Sequence, residues 1–302
     1  MFRFSREQRV FEISGVKVGG QPGENPTVMI GSIFYRGDRN VQDEENGIFN
    51  REAAEELIAE LEEISDRTGL PAMLDVVCSS SKNARRYLEF AADATEMPIL
   101  IDYVSEEAGI SGMEAARELG IVDRLILNSV NPETKQPIYE KAREVGLKSA
   151  IALTYSTRAI ISYKERIKLL DTLIPKLEAA EIKNILVDTV VLDVATLGLA
   201  CKAIYEVKKR SGYPAGCGAH NAVASWKSLK KRKDKVLTMV CSAIANGLPV
   251  AIGADFVLYG PINDAKYMFP AISIINAAYA QVLMEEGKRP ASTHPRFKIS
   301  SL

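Results

Sequence analysis

The chain has 302 residues, 47% hydrophobic and 25% charged, with a formal net charge of -1, which fits a globular protein and argues against binding nucleic acid or an anionic membrane surface. Its apolar stretches are interrupted by charged residues before they reach the roughly 20 residues of a membrane-spanning helix, and its start lacks the apolar run of a secretory signal. The four cysteines, Cys78, Cys201, Cys217 and Cys241, form no CxxC pair, which favours a reducing compartment over a disulfide framework. Together these features predict a cytoplasmic protein with no membrane span.

The first 26 residues form a lead-in to the main fold. Within them Phe11–Val18 alternates apolar and polar residues around Ser14-Gly15. This pattern is typical of a β-hairpin, which we expect to close the floor of the domain that follows.

From residue 27 onward, short apolar runs alternate with amphipathic segments. The runs are Thr27–Ile33, Ala72–Val77, Ile99–Tyr103, Arg124–Ser129, Ser149–Thr154, Ile185–Val190, Ala215–Gly218 and Pro249–Gly253. Runs this short and apolar are typical of strands buried on both faces of a parallel sheet. The segments between them indicate helices; after Asn50, for example, an apolar stripe recurs at helical spacing, and Ser111-Gly112-Met113-Glu114 has the spacing of a capping box.

About eight strand–helix units predict a (β/α)8 TIM barrel with an N-terminal β-hairpin. We expect one domain over residues 1–302: the lead-in at 1–26, the barrel at 27–286 and a tail at 287–302. An open doubly wound sheet is the alternative, but no GxGxxG motif follows the first run and no P-loop is present. The long loop Phe34–Asn50 after the first strand is either a lid or partner contact, or a solvated connector.

Polar residues stand where the apolar runs end. Asp75, Asp102, Asn128 and Asp188 end the second, third, fourth and sixth runs, and the seventh passes through Gly218-Ala219-His220-Asn221. In a barrel these positions form the rim of the active site. Any one of them could cap a turn. A carboxylate inside an apolar run, however, needs partners, which a polar ligand with several N–H groups would supply.

Other chemistries fit the sequence less well. No strand interior carries the lysine of a Schiff-base aldolase, and no G-x-S-x-G elbow is present. Cys217 and His220 would allow a zinc site with Asp75 or Cys78, although buried cysteines and a hydrogen-bonded histidine are the commoner explanation. The basic run 227–235 is expected to be a solvated helix face, or else to meet an anionic ligand tail or an acidic partner.

At these residues the chain resembles the pterin-binding barrel methyltransferases, and over nearly its whole length it is similar to the H-subunit family of tetrahydromethanopterin S-methyltransferase. The motifs that carry the resemblance are Gly19-Gly20-Gln21-Pro22-Gly23-Glu24, Leu127-Asn128-Ser129-Val130-Asn131, Gly218-Ala219-His220-Asn221, Phe256-Val257-Leu258-Tyr259-Gly260-Pro261-Ile262 and His294-Pro295-Arg296-Phe297-Lys298. The resemblance implies methyl transfer between the ring nitrogen of a tetrahydropterin and the cobalt of a corrinoid. No D-x-H-x-x-G corrinoid-binding motif is present, so the corrinoid would sit on a partner protein. The resemblance also suggests a homodimer.

The resemblance further implies roles for the residues at the rim. Asp102, Asn128 and Asp188 would bind the pterin ring, together with Asp75 and Gly218, and no residue would bind a metal. Asn221 would bind near the methyl-bearing nitrogen as the catalytic residue, through a hydrogen bond that strengthens in the transition state.

The sequence departs from these relatives in two places. Ser32-Ile33 follows Ile30-Gly31, where the relatives place a glutamate. The segment Ala72–Ser81 is unlike the archaeal subunits, which favours tetrahydrofolate slightly over tetrahydromethanopterin. Two alternatives stay open: a zinc-dependent thiol methyltransferase using Cys217 and His220, and a non-catalytic docking subunit of a methyltransferase complex.

Overall fold

Eight parallel strands close into a barrel in the computed structural model, which describes residues 3–301. In chain order the strands of the molecule are β1 (Val10–Ile13), β2 (Val16–Gly19), β3 (Val28–Ile33), β4 (Val41–Asp43), β5 (Ile48–Phe49), β6 (Ala72–Cys78), β7 (Ile99–Tyr103), β8 (Leu125–Val130), β9 (Ser149–Leu153), β10 (Asn184–Asp188), β11 (Ala215–Cys217) and β12 (Phe256–Pro261). The barrel runs from β3 to β6 and then in sequence to β12, which pairs with β3 and closes it. The predicted (β/α)8 barrel with an N-terminal β-hairpin is therefore confirmed.

Helices connect the barrel strands and form the outer layer. They are α1 (Arg51–Thr68), α2 (Ser81–Ala94), α3 (Glu106–Glu118), α4 (Gln136–Val145), α5 (Tyr163–Ala179), α6 (Val194–Arg210), α7 (His220–Ala224), α8 (Lys227–Arg232), α9 (Lys235–Ala251), α10 (Ala265–Glu285) and α11 (Pro295–Lys298). Local sequence sets their ends. The Asn50 side chain accepts the Ala53 N–H and begins α1, while Ser80 and Asp193 form capping boxes at α2 and α6.

The predicted eighth strand was wrong. Pro249–Gly253 forms the end of α9 and the turn after it, and the strand is β12, which begins at Phe256. Periodicity cannot separate a short apolar run from a buried helix segment, and Val250 is buried as a core residue would be in either element. The aromatic and β-branched residues that favour a strand lie further on, in Phe256-Val257-Leu258-Tyr259.

The predicted capping box at Ser111 was also wrong. Helix α3 begins earlier, after Ser105, whose side chain accepts the Ala108 N–H. Ser111 lies inside this helix, and its hydroxyl donates to the Ser81 carbonyl oxygen instead. The spacing of a capping box is therefore not sufficient when a better cap precedes it.

The interior of the barrel is apolar at its lower end. One layer of inward-facing side chains consists of Ile30, Met73, Leu100, Ile126, Ile151, Leu186 and Phe256. Ile13 and Val18 of the β1–β2 hairpin join the same cluster, so the hairpin closes the floor as predicted. On the outer face of the same strand, Gly31 is required because an added Cβ would lie 2.2 Å from the hydroxyl of Tyr259, which packs between the sheet and the helices.

One helix in the described range 3–301 is long and apolar enough to cross a membrane, Ile262–Glu285. It contains α10, which packs against α1, α9 and β12 in the outer layer of the barrel. Of its most apolar window, 44% is buried inside the protein.

Candidate active site

A polar layer covers the apolar interior at the carboxyl ends of the strands. Its members are Ser32, Asp75, Asp102, Asn128 and Asp188, each two residues beyond an inward-facing apolar residue of the layer below. Because side chains alternate along a strand, both members of each pair face inward. The apolar layer thus fills the barrel, and the polar layer is left to line its mouth.

These side chains line one cavity with a volume of about 760 Å³. That volume is in the range of small-molecule binding sites. The structure brings together in this cavity all six residues predicted for the site: Asp75, Asp102, Asn128, Asp188, Gly218 and Asn221.

Asp75 is 1% exposed and both of its carboxylate oxygens are occupied. The Ser32 hydroxyl donates to one oxygen at 2.7 Å, and the Asn128 Nδ2 donates to the other at 2.9 Å. Burial raises the pKa of Asp75 to about 6, although both hydrogen bonds act to lower it. The bond to Asp75 fixes the Asn128 amide and leaves its carbonyl oxygen as an acceptor for a ligand.

Asp102, on the neighbouring strand β7, differs from Asp75 because it is half-buried and accepts no hydrogen bond from any residue in the described range 3–301. Burial, together with the nearby charge of Asp75, raises the pKa of Asp102 well above its ordinary value. A ligand that offers N–H donors to this carboxylate would relieve both effects.

Asp188 ends β10 and is 7% exposed. Its Oδ1 accepts the Val190 N–H at 2.7 Å. Burial raises the pKa of Asp188 to about 6, against the lowering effects of the Val190 and Gly218 backbone amides and of the Arg166 guanidinium. The Val190 N–H therefore orients the carboxylate, and Asp188 lines the cavity.

Asn221 and His220 begin α7, immediately beyond β11. The Asn221 carboxamide has no hydrogen-bond partner in the described part of the chain, so both its donor and acceptor are available to a ligand. His220 Nδ1 lies 2.9 Å from the Leu258 carbonyl oxygen, which can only accept, so Nδ1 carries the proton. Burial lowers the pKa of His220 and favours the neutral ring. Gly260 makes room for this ring, since a Cβ there would lie 3.1 Å from the His220 side chain.

The residues considered for zinc do not form a ligand set. Cys78 and Cys217 pack in the outer core, between the sheet and the helices, whereas His220 and Asp75 line the cavity. Burial also raises the pKa of both thiols well above its usual value, which disfavours the thiolate that zinc requires. No group of three or more His, Cys, Asp or Glu converges anywhere in residues 3–301.

Several cavity residues escaped the sequence reasoning. Tyr35 and Arg36 come from the loop after β3, and Tyr155 follows β9. Lys230 is the member of the basic run that reaches the cavity, while most of its neighbours in α8 are exposed. Ser32 was noted only as a departure from the expected glutamate, and the structure shows that it binds Asp75. For Lys230 the signal was the basic run itself, which was considered for an anionic ligand tail; for the other residues it was position alone, just beyond a strand.

Solved structures support the fold. Dihydropteroate synthase from Yersinia pestis bound to a pterine-sulfa conjugate aligns with a TM-score of 0.61 and 13% identity, covering 91% of this chain and 100% of that one. The enzyme from Thermus thermophilus in complex with 4-aminobenzoate aligns with a TM-score of 0.59 and 14% identity, covering 89% and 99%. At these identities the likeness shows the TIM-barrel fold alone.

Sequence comparison identifies the family. A family profile described as Tetrahydromethanopterin S-methyltransferase MtrH subunit matches residues 6–290. The H subunit of tetrahydromethanopterin S-methyltransferase from Methanothermobacter thermautotrophicus is 37% identical, covering 99% of this chain and 100% of the relative. The protein of the same name from Methanocaldococcus jannaschii is 36% identical with the same coverage. The predicted family is confirmed, and with it a methyltransferase at the level of the family: the chain belongs to the tetrahydromethanopterin S-methyltransferase MtrH subunit family.

Proposed function

We propose that the protein transfers a methyl group between the ring nitrogen of a tetrahydropterin and the cobalt of a corrinoid held by a separate protein. The observation that carries this proposal is the polar layer at the barrel mouth, where buried and half-buried carboxylates and amides line one cavity. Membership of a family named for a tetrahydromethanopterin methyltransferase supports it.

The polar layer suits a pterin ring. The ring presents amide and amino N–H groups in one plane, and carboxylates opposite such donors form charge-assisted hydrogen bonds. We assign Asp102 and Asp188 as acceptors for these N–H groups and the Asn128 carbonyl oxygen as a third. Asp75 has both oxygens occupied, so its part is to orient Asn128.

Asn221 is the residue we assign to the reacting nitrogen. In pterin demethylation the nitrogen–methyl bond would break with its electron pair left on nitrogen, and the cobalt(I) of the corrinoid protein would supply the electron pair for the new bond to the methyl group. The nitrogen would gain a proton from solvent. A hydrogen bond from the Asn221 amide to this nitrogen would strengthen as the electron pair develops, and so would stabilise the transition state more than the bound substrate. Gly218 belongs to the same corner of the site, since a Cβ there would lie 3.3 Å from the Asn221 Nδ2.

The choice between the two pterins depends on the far end of the ligand. Arg36 and Lys230 line the cavity and would attract an anionic ligand tail. The relatives described above are named for tetrahydromethanopterin, whereas Ala72–Ser81 led us to favour tetrahydrofolate. We therefore propose a tetrahydropterin with an anionic tail, and direct binding of the two ligands decides between them.

The corrinoid protein must reach the methyl group through the mouth of the cavity. Exposed apolar residues lie on the segments that follow the barrel strands at this face, and one of them, Leu192, lines the cavity: Val104, Ile161, Leu192, Val194 and Trp226. Ile161 is 80% exposed and Val104 70%. Apolar residues exposed around a polar cavity are typical of a protein-binding surface, and we assign this one to the corrinoid partner.

A second apolar surface supports the homodimer. Helix α9 exposes Val236, Val240, Ile244 and Leu248 at successive turns, and Ile274 of α10, the helix that packs against α9, is exposed as well. No charged residue occurs from Val236 to Ala251. An uncharged apolar face can pack against its own copy without charge repulsion, so we propose that two chains associate through it. We propose the cytoplasm as the site of this dimer.

The test is a methyl-transfer assay with methyl-tetrahydropterin and cobalt(I) corrinoid, followed by the visible spectrum of the cobalt. Asn221→Ala should lower kcat by roughly 100-fold or more, which is the effect of removing a transition-state hydrogen-bond donor, with little change in pterin affinity. Asn263→Ala removes an exposed asparagine outside the cavity and should act as wild type. Equal losses of turnover and affinity would contradict the role of Asn221, and no turnover by the wild type would favour a docking subunit.

A further inference from the structure

Arg166 on α5 is the largest fully buried side chain in the described residues, at 0% exposure. A buried cation is costly unless its charge and donors are satisfied. No carboxylate lies within salt-bridge distance of Arg166 among residues 3–301, and all its hydrogen bonds go to main-chain carbonyl oxygens. The role of this side chain is therefore to hold the main chain that surrounds it.

The guanidinium joins two loops at the catalytic face. Its Nε donates to the Ala159 carbonyl at 2.8 Å and its Nη2 to that of Ile160 at 3.0 Å, in the loop beyond β9. Its Nη1 donates to the carbonyls of Thr189 at 2.7 Å and Val190 at 2.9 Å, directly beyond β10. A planar group with several fixed donors can make these four contacts at once, whereas a lysine ammonium cannot span them.

The segment beyond β10 needs this support. Val190 has φ of 53°, in the left-handed region that a β-branched residue rarely adopts. In this conformation its N–H donates to Asp188 Oδ1 at 2.7 Å. Arg166 binds the carbonyl oxygens of Thr189 and Val190, which flank the Val190 Cα. It thereby stabilises the backbone conformation in which the Val190 N–H points at the Asp188 carboxylate.

We propose that Arg166 is a positioning residue for the cavity: by holding the Thr189–Val190 turn, it fixes the Asp188 carboxylate in the orientation that accepts the ligand's N–H groups. The pterin as ligand rests on the proposed function, but the control of Asp188 does not. The guanidinium charge and the Val190 N–H both lower the pKa of Asp188 against the effect of burial. Around β10, strand β9 contributes no titratable side chain, and β11 contributes Cys217, whose thiol burial keeps neutral.

The first experiment follows the Asp188 carboxyl itself, without any ligand. Carbon-13 NMR of protein labelled at aspartate Cγ gives its titration midpoint, and Asp188→Asn assigns the signal. We expect about 6 in the wild type. Arg166→Met should raise the midpoint by roughly one pH unit or more, because a charge and a hydrogen bond to the ionised form are lost. Arg166→Lys should raise the midpoint less, because it keeps the buried charge. For the same reason it serves as the second variant if Arg166→Met fails to fold.

The second experiment tests the link through Val190. Arg166→Lys should weaken tetrahydrofolate binding about tenfold, the effect of about 1.4 kcal/mol. In the Val190→Gly background the same Arg166→Lys change should cost much less affinity, because glycine adopts a positive φ freely without the support of Arg166. The double variant should therefore bind nearly as tightly as Val190→Gly alone. Arg143→Lys, at an exposed arginine of α4 paired with Glu181, is the matched control and should change neither measurement.

The outcomes separate the two proposals. An unchanged Asp188 midpoint in both Arg166 variants would overturn the positioning role. So would a binding loss that Val190→Gly does not restore, because that result would show a general effect on packing. If the wild type binds no pterin, the proposed function fails, and the NMR titration still decides the role of Arg166.

Discussion

Replacement of Asp188 by asparagine should make the protein more stable at neutral pH. Burial raises the pKa of this carboxyl from 3.8 to about 6 in the folded protein. At ~1.4 kcal/mol per pH unit, the difference means that the ionised carboxylate destabilises the fold by about 3 kcal/mol once both states are ionised. Asparagine has the same shape, carries no charge and can still accept the Val190 N–H.

The sign follows from proton linkage. Because the folded pKa lies above the unfolded value, the contribution of Asp188 to stability is fully present below pH 3.8 and is lost as the pH rises through about 6. The advantage of Asp188→Asn should therefore be greatest above about pH 7. It should be about half as large at pH 5, where the folded carboxyl is mostly protonated and the unfolded one mostly ionised.

Thermal unfolding of the two proteins at pH 8 and pH 5 measures this difference. At roughly 2 °C per kcal/mol for a chain of this size, Asp188→Asn should raise the Tm by about 6 °C at pH 8. Asp171→Asn, at an exposed position of α5, changes the net charge equally and should leave the Tm nearly unchanged. An Asp188→Asn variant that is no more stable than wild type at pH 8 would refute the view that this carboxylate is kept at a cost for a ligand.

Three further predictions follow from the same structure. Tetrahydropterin affinity should fall as the pH decreases through about 6, because Asp188 must be ionised to accept N–H groups, and Asp102, whose pKa is also raised, should add to the loss; a flat calorimetric profile from pH 5 to 8 would contradict this. Ile244→Glu should convert the dimer to a monomer in light scattering, while Lys266→Glu, at an exposed lysine of α10, should not; a wild-type monomer would remove the proposed interface. Metal analysis should find far less than one zinc per chain, and a chelator should leave methyl transfer intact; stoichiometric zinc would reopen the thiol methyltransferase alternative.

Much of the site followed from a simple pattern in the sequence. Asp75, Asp102, Asn128 and Asp188 each end an apolar run, and parallel strands in a barrel bring such ends to one face. Alternation then places each of them above an apolar residue that fills the interior. These two rules need no tertiary information, which is why the position of the cavity could be predicted without a structure.

Other features depend on contacts that no local pattern reveals. Ser32 donates to Asp75 across a separation of 43 residues, and this contact depends on the register of two neighbouring strands. Arg166 looks like an ordinary charge within a helix, and only tertiary packing shows that it is buried among carbonyl groups. The eighth strand was misplaced for a related reason. Helix α9 carries no charge after Lys235, so the apolar residues at its end resemble a short buried strand when only the sequence is considered.

Calorimetric binding of tetrahydropterins tests the central claim most directly. Tetrahydrofolate and a tetrahydromethanopterin analogue would be titrated into the wild type, Asp188→Ala and the exposed control Asp171→Ala. We predict that at least one ligand binds once per chain to the wild type and the control, that Asp188→Ala loses roughly 100-fold or more, or about 2.7 kcal/mol, and that the tighter ligand identifies the substrate. No binding of either ligand to the wild type, or equal binding to wild type and Asp188→Ala, would contradict a pterin site at the mouth of this barrel.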